Sequence, residues 1–190
     1  MFVKMKAEDQ IKIINDSINK AKEDLKPLAF NFIFWGVLTI SMSLFHYFFS
    51  SIVEISKYSA LIYWTVLPLI GLIYTMYYNI KIVQKTGFQT VVGRSLSIIW
   101  GVFGISWLIL ILSSLIIGHF PVASIIFLIG VTTLTTGRII RNNSISIGGI
   151  ILLFIYLYIL TNPDLNLLLI NSGAIFFGFL LPGLSLYYKR

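Results

Sequence analysis

The chain contains no cysteine, and this absence excludes disulfides, thiol chemistry and cysteine-ligated metal sites. Charged residues make up only 11% of the 190 residues, against about 25% in a typical soluble domain. The chain contains six long apolar runs, and no charged residue falls inside any of them. Ion-coupled transporters, proton relays and voltage sensors usually need ionisable side chains within the membrane, so the sequence disfavours these classes. Nucleophile motifs, phosphate-binding loops and paired carboxylates are also missing, and we therefore expect that the protein is not an enzyme.

Long apolar runs fill most of the remaining chain, which is 57% hydrophobic. A helix of about 20 apolar residues crosses the hydrocarbon core of a bilayer. The pattern predicts an all-α polytopic membrane protein, a six-helix transmembrane bundle. The predicted spans are 28–50, 59–80, 95–117, 122–137, 144–161 and 165–188.

The basic residues are distributed very unevenly between the two ends of these spans. Thirteen of the 14 Lys and Arg residues lie in 1–27, in the second and fourth loops or at the C terminus, and Lys57 alone lies on the other side. The positive-inside rule then places both termini in the cytoplasm, as expected for a multi-pass protein of the bacterial inner membrane. The same rule explains the net charge of +7 without a nucleic-acid partner.

Residues 1–27 are polar and are expected to form a cytoplasmic amphipathic helix. Ile11, Ile14, Ile18 and Leu25 recur at helical spacing and share one face. This face either lies on the membrane surface or against the bundle, or it docks a soluble partner or a second copy. Pro27 is expected to end this helix or to stand in the first turn of the next.

Two stretches share a Trp-Gly element at an offset of 65 residues, one beginning at Phe34 and the other at Ile99. Together with Leu69-Ile70-Gly71, Leu128-Ile129-Gly130 and the looser Leu181-Pro182-Gly183 in the even-numbered spans, they suggest three repeated hairpins, arranged about an axis along the membrane normal. We expect Gly36 and Gly101 to occupy equivalent helix crossings, while Trp35 and Trp100 lie in the aromatic belt. Gly178, four residues after Ala174, is predicted at another close helix contact.

Two histidines and a group of threonines are the candidates for chemistry. His46 and His119 are predicted near the outer membrane surface, where they are interfacial side chains or, alternatively, ligands of a haem or metal. Two imidazoles form a poor metal signature, so no cofactor and no metal ligand is predicted. Thr132, Thr133, Thr135 and Thr136 either line a polar path or bond back to their own helix.

Several short motifs resemble those of an uncharacterised family of six-span integral membrane proteins common in Bacteroidota. They are Phe34-Trp35-Gly36, Thr133-Leu134-Thr135-Thr136-Gly137, Ile147-Gly148-Gly149 and Leu181-Pro182-Gly183. The resemblance covers nearly the whole chain and implies six spans but no activity. Phe120-Pro121 followed by Leu128-Ile129-Gly130 is similar, more weakly, to the HdeD-like acid-resistance membrane proteins, which have repeated hairpins.

Two classes of function fit these observations. The protein is either a non-catalytic component that acts through protein partners or in envelope stress, or a passive channel or small-solute permease. Besides the lipid bilayer, the expected partner is a cytoplasmic or membrane protein. A water-wide path past Thr132 and Thr136 favours the permease, whereas a core filled by Phe, Leu and Ile favours the partner protein.

Overall fold

A computed structural model of the protein describes residues 25–86, 91–118 and 120–188. Every regular element within these ranges is helical. The helices are α1 (Lys26–Phe48), α2 (Ser50–Val53), α3 (Ser59–Thr86), α4 (Val91–Ile117), α5 (Val122–Ile139), α6 (Asn143–Thr161), α7 (Leu167–Ile175) and α8 (Leu181–Tyr188), with a π-helical turn at Phe176–Leu180. The π-helical turn joins α7 and α8 into one span, Leu167–Tyr188, so six segments are long and apolar enough to cross a membrane. The predicted all-α, six-helix bundle is confirmed.

Local chemistry explains where several helices begin. Pro27 stands at the start of α1, where its missing N–H costs nothing because the first amides of a helix have no partner within it. Asn142 caps α6 by accepting a hydrogen bond from the Ile145 amide, and Asn166 caps α7 by accepting from Leu168 and Leu169. The basic side chains Lys26, Arg94 and Arg138 lie at helix termini on one side, which we call the basic end of the bundle.

The core is built by α1, α5, α6 and the α7–α8 span. Buried residues account for 33% of the apolar windows of α1, α5 and α6 and 44% of that of α7–α8, but only 11% in α3 and 17% in α4. Helix α3 packs mainly on α1, and α4 on α5. The fully buried side chains include Phe32, Ile126, Ile145, Leu152 and Ile175. Helices α3 and α4 therefore flank the four-helix core and leave wide apolar faces for lipid.

Small residues bring the core helices into backbone contact. A Cβ at Gly149 would collide with the Leu134 backbone of α5, and one at Gly148 would collide with the Gly178 carbonyl. Gly36 lies against Leu180, where an added Cβ would be 2.9 Å from the Leu180 Cβ. Lipid supplies little hydrophobic drive for helix association, so such close approach gains its stability from dispersion contacts.

The two Trp-Gly elements occupy different environments, contrary to the expected equivalence. Gly101 is exposed, and a Cβ built there meets no atom within 4 Å. Trp35 lies against Gly71 of α3, while the ring of Trp100 packs on Phe32 and Phe179 with its indole nitrogen buried. The prediction that Gly36 and Gly101 occupy equivalent helix crossings was wrong, because α1 is central and α4 is peripheral. The shared Trp-Gly motif therefore places Gly36 at a helix contact in the core and leaves Gly101 facing outward.

The predicted amphipathic helix falls almost entirely outside the described residues, since Ile11, Ile14 and Ile18 precede residue 25. Leu25 is described, and it packs half-buried against the hydrophobic core just before α1 begins. Its carbonyl accepts the Ala29 amide at 2.9 Å. The end of the predicted stripe thus contacts the bundle.

Candidate functional site

A polar cluster lies at the end of the bundle opposite the basic end. His46, in the last turn of α1, is buried with a side-chain exposure of 8%. Its Nε2 lies 2.9 Å from Oε1 of Glu54, which follows α2. Its Nδ1 accepts a hydrogen bond of 3.0 Å from the indole Nε1 of Trp64 on α3. We call His46, Glu54 and Trp64 the His46 cluster.

The donors and acceptors of this cluster determine the tautomer of the neutral histidine. An indole N–H can only donate, so Nδ1 of His46 must accept. The imidazole proton therefore resides on Nε2, from which it is donated to the Glu54 carboxylate. Both ring nitrogens are thus engaged by protein groups, whereas a metal ligand needs one nitrogen lone pair directed at the metal.

Aromatic rings surround the His46 cluster and connect it to a second loop. The Tyr63 ring lies 6.1 Å from the imidazole, and its hydroxyl donates to the Met42 carbonyl at 3.0 Å. Trp64 packs on Phe120, which precedes α5, with ring centroids 5.8 Å apart. The cluster therefore fastens α1, α2 and α3 to the segment that enters α5. This arrangement positions helices and loops.

Of the two histidines named for a haem or metal site, His46 alone lies among the described residues. Among residues 25–86, 91–118 and 120–188, no group of three His, Cys, Asp or Glu side chains is placed to hold a metal ion. His119 lies outside the described residues. The sequence placed His46 and Glu54 at the same membrane face but gave no sign of Trp64, because a tryptophan near a helix start is equally typical of a lipid interface.

Three of the four threonines of α5 face the interior. Thr132, Thr133 and Thr136 are buried, the last two completely. Thr132 donates to the Leu128 carbonyl and Thr135 to the Val131 carbonyl, both at 2.8 Å. Bonding back to the preceding turn is thus one role of this group. The hydroxyls of Thr133 and Thr136 are buried without a hydrogen-bond partner among the described residues.

The same turns of α5 pack tightly on α6. Gly137 lies against the backbone of Ser146, and a Cβ at Gly130 would stand 3.1 Å from the Leu152 Cβ. Gly149 of α6 lies against Leu134 between these two contacts. Contacts this close, spread over about two turns of α5 from Gly130 to Gly137, leave no width for water between the two helices.

Buried amides add two links that the sequence did not reveal. Asn171 of α7 donates to the Ser43 hydroxyl of α1 at 2.8 Å, and both side chains are buried. Asn31 of α1 donates to the Asn79 side chain of α3 at 3.2 Å. Such bonds join helices in membranes. Single polar residues within apolar runs form no periodic pattern, so their pairing is invisible before the fold is known.

Two surface grooves run along the bundle. One, of about 310 Å³, lies between α4 and α5 and is lined by Ser106, Ile109, Leu110, Ser124, Phe127 and Leu128. The other, of about 270 Å³, lies between α6 and the α7–α8 span and is lined by Ser144, Ile147, Gly148, Ile151, Phe177, Leu181, Pro182 and Ser185. Neither groove includes the threonines discussed above.

Of the glycines predicted at helix contacts, Gly178 lies at the π-helical turn. A Cβ on Gly178 would be 2.5 Å from the Leu152 Cγ and 2.9 Å from the Gly148 carbonyl oxygen. The π-helical turn and Gly148 together let α6 approach this span closely, and π-helical turns of this kind are frequent at functional sites.

Comparison of the chain with family models, curated proteins and solved structures finds no match.

Proposed function

We propose that the protein is a non-catalytic, multi-pass component of the bacterial inner membrane that works through protein partners, including under envelope stress. The observation that carries this proposal is the close contact between α5 and α6, in which Gly149 meets the Leu134 backbone, Gly137 meets the Ser146 backbone and Gly130 meets the Leu152 side chain. This contact supports the proposal because helices packed so closely leave little room between them for a solute path lined by threonines. A core filled by Phe32, Leu152 and other apolar side chains suits a scaffold better than a permease.

Residues 1–27 are the proposed handle for a cytoplasmic partner. They combine the stripe of Ile11, Ile14 and Ile18 with both charge signs, and Leu25 connects the stripe to the core. Charge complementarity and an apolar stripe are the usual parts of a helix that docks on another protein. We also propose that the chain belongs to the Bacteroidota family that it resembles. This membership implies a similar six-span bundle but no particular activity.

The proposed orientation predicts the outcome of reporter fusions. Fusions after residues 54 and 164 should report a periplasmic location, and fusions after residues 90 and 140 a cytoplasmic one, because the Lys and Arg residues concentrate beside the latter. Alkaline phosphatase and a fluorescent protein fused at the same sites provide opposite readouts. Cytoplasmic fluorescence from the fusions at 54 or 164 would reverse the topology.

Cross-linking in native membranes tests the partner. A photo-reactive residue introduced at Ile14 should yield a discrete adduct, and Ile11→Asp in the same chain should reduce it at least tenfold by placing a carboxylate in the apolar stripe. Asn19→Asp adds the same charge outside the stripe and should leave the adduct intact. If both variants lost the adduct, or if both retained it, recognition through this stripe would be contradicted.

The permease alternative draws on one observation, the buried hydroxyls of Thr133 and Thr136 without partners. An open state that admits water would satisfy both groups. Proteoliposomes swelling in small polyols distinguish the two functions. The proposed scaffold should swell no faster than empty vesicles, and accelerated swelling that Thr133→Val and Thr136→Val abolish would establish the permease.

A further inference from the structure

The groove between α6 and the α7–α8 span has apolar walls and a small-residue floor. Ile147 and Phe177 are both 56% exposed, and Leu181 is 40% exposed. Between them, Gly148 approaches Gly178 and Pro182 so closely that no side chain fits there. The groove is therefore narrow and open to the surrounding lipid.

The groove becomes polar toward the basic end. The Ser185 hydroxyl donates to the Ser144 hydroxyl at 3.1 Å, and both serines line the groove. Arg141 stands three residues before Ser144, just ahead of the Asn142 cap, and its side chain is exposed. Its backbone is left-handed, with φ 53°, a conformation that is uncommon outside glycine and worth attention in a bulky residue. Arg138, also exposed, lies one turn earlier.

The charge at this end is unbalanced in the described part of the chain. From residue 25 onward the acidic residues are Glu54 and Asp164. Glu54 belongs to the His46 cluster, and Asp164 follows the far end of α6. Neither carboxylate lies near Arg141, so this end of the groove carries positive charge beside hydroxyl groups.

The size of the groove selects its occupant. The groove has a volume of about 270 Å³, whereas a helix is about 10–12 Å wide with its side chains and could contact the groove with only one face. A single acyl chain is thinner and can follow the groove along the span. Basic pockets between membrane helices also bind the head groups of anionic lipids.

We propose that this groove binds an anionic phospholipid, with one acyl chain between Ile147 and Phe177 and the phosphate beside Arg141 and the Ser144–Ser185 pair. The guanidinium and the hydroxyls would hydrogen-bond the phosphate oxygens. Gly148 would keep the groove floor open, and the π-helical turn would set the position of Phe177.

Native mass spectrometry of the delipidated full-length protein in neutral detergent tests this site. Dioleoyl phosphatidylglycerol should be retained as one tightly bound copy, and dioleoyl phosphatidylcholine should be lost at much lower activation energy. Arg141→Asn should weaken phosphatidylglycerol binding about fivefold, since a basic residue at the lipid surface contributes about 1 kcal/mol. Asparagine tolerates the left-handed backbone at this position, which preserves the fold.

Three controls separate this site from other sources of binding. Lys81→Gln removes a cation from α3, which does not border the groove, and should leave retention unchanged. Ser185→Leu should reduce lipid retention by filling the groove, whereas Ser172→Leu in α7 should not. Equal retention of the two lipids, or unchanged binding by Arg141→Asn, would overturn the proposal. Glycerol phosphate, which lacks acyl chains, should not compete at millimolar concentration; competition would indicate a free-anion site and would also overturn it.

Discussion

Gly149→Ala is expected to lower the free energy of unfolding by about 1–3 kcal/mol, the usual cost of overpacking a well-packed core. The added methyl would stand 2.6 Å from the Cα and 2.7 Å from the Cβ of Leu134. Backbone atoms on the facing helix cannot rotate away, so α5 and α6 must separate. Separation would also loosen the contacts of Gly130 and Gly137 in the same interface. Thermal unfolding in detergent, followed by circular dichroism, measures the loss.

Gly101→Ala is the matched control. It introduces the same methyl into a membrane-spanning helix, but at a position where no atom lies within 4 Å. Alanine is the better helix former by up to about 1 kcal/mol, so the variant should be as stable as the wild type or slightly more stable. Equal losses from the two substitutions would mean that Gly101 is covered by another helix in the folded protein, and that the peripheral position of α4 is wrong.

The contrast between Gly36 and Gly101 shows how far the sequence could predict this fold. Hydropathy alone located six spans, because the length and apolar character of a crossing helix are properties of the helix itself. Which helices form the core depends instead on the contacts between pairs of helices. Gly36 and Gly101 stand in similar local sequences, yet Gly36 meets Leu180 and Gly101 faces outward.

The candidate sites also contain some features that the sequence could predict and others that depend on the fold. The sequence could place His46 and Glu54 at one face of the membrane, since His46 lies just before the loop between the first two predicted spans and Glu54 lies within it. It could not predict that Trp64 occupies the remaining ring nitrogen, nor that Asn171 reaches Ser43 across 128 residues of chain. These contacts depend on the rotation of each helix about its axis, and helices that are apolar all round give no amphipathic signal from which to read it.

His46→Ala is expected to destabilise the protein by about 1–3 kcal/mol. The substitution removes two hydrogen bonds, and a hydrogen bond contributes about 0.5–1.5 kcal/mol, or more when it reaches a charged group. It also leaves the Trp64 N–H without its acceptor and opens a void at the end of α1, since the His46 side chain is only 8% exposed. The Glu54 bond contributes at the low end of its range because the carboxylate is 60% exposed and screened by solvent.

A double-mutant cycle assigns this loss to the hydrogen bond with Trp64. Trp64→Phe keeps an aromatic ring near Phe120 but removes the donor, so Nδ1 of His46 is left unpaired; a cost of about 1–2 kcal/mol is expected. In the His46→Ala, Trp64→Phe double variant the two losses should not add, with a coupling of about 0.5–1.5 kcal/mol. Phe48→Ala, at a side chain 69% exposed in the same last turn of α1, is the control and should change the stability by less than about 0.5 kcal/mol. Fully additive losses would mean that His46 stabilises this end of the bundle by packing alone, and that the hydrogen bond to Trp64 contributes nothing measurable.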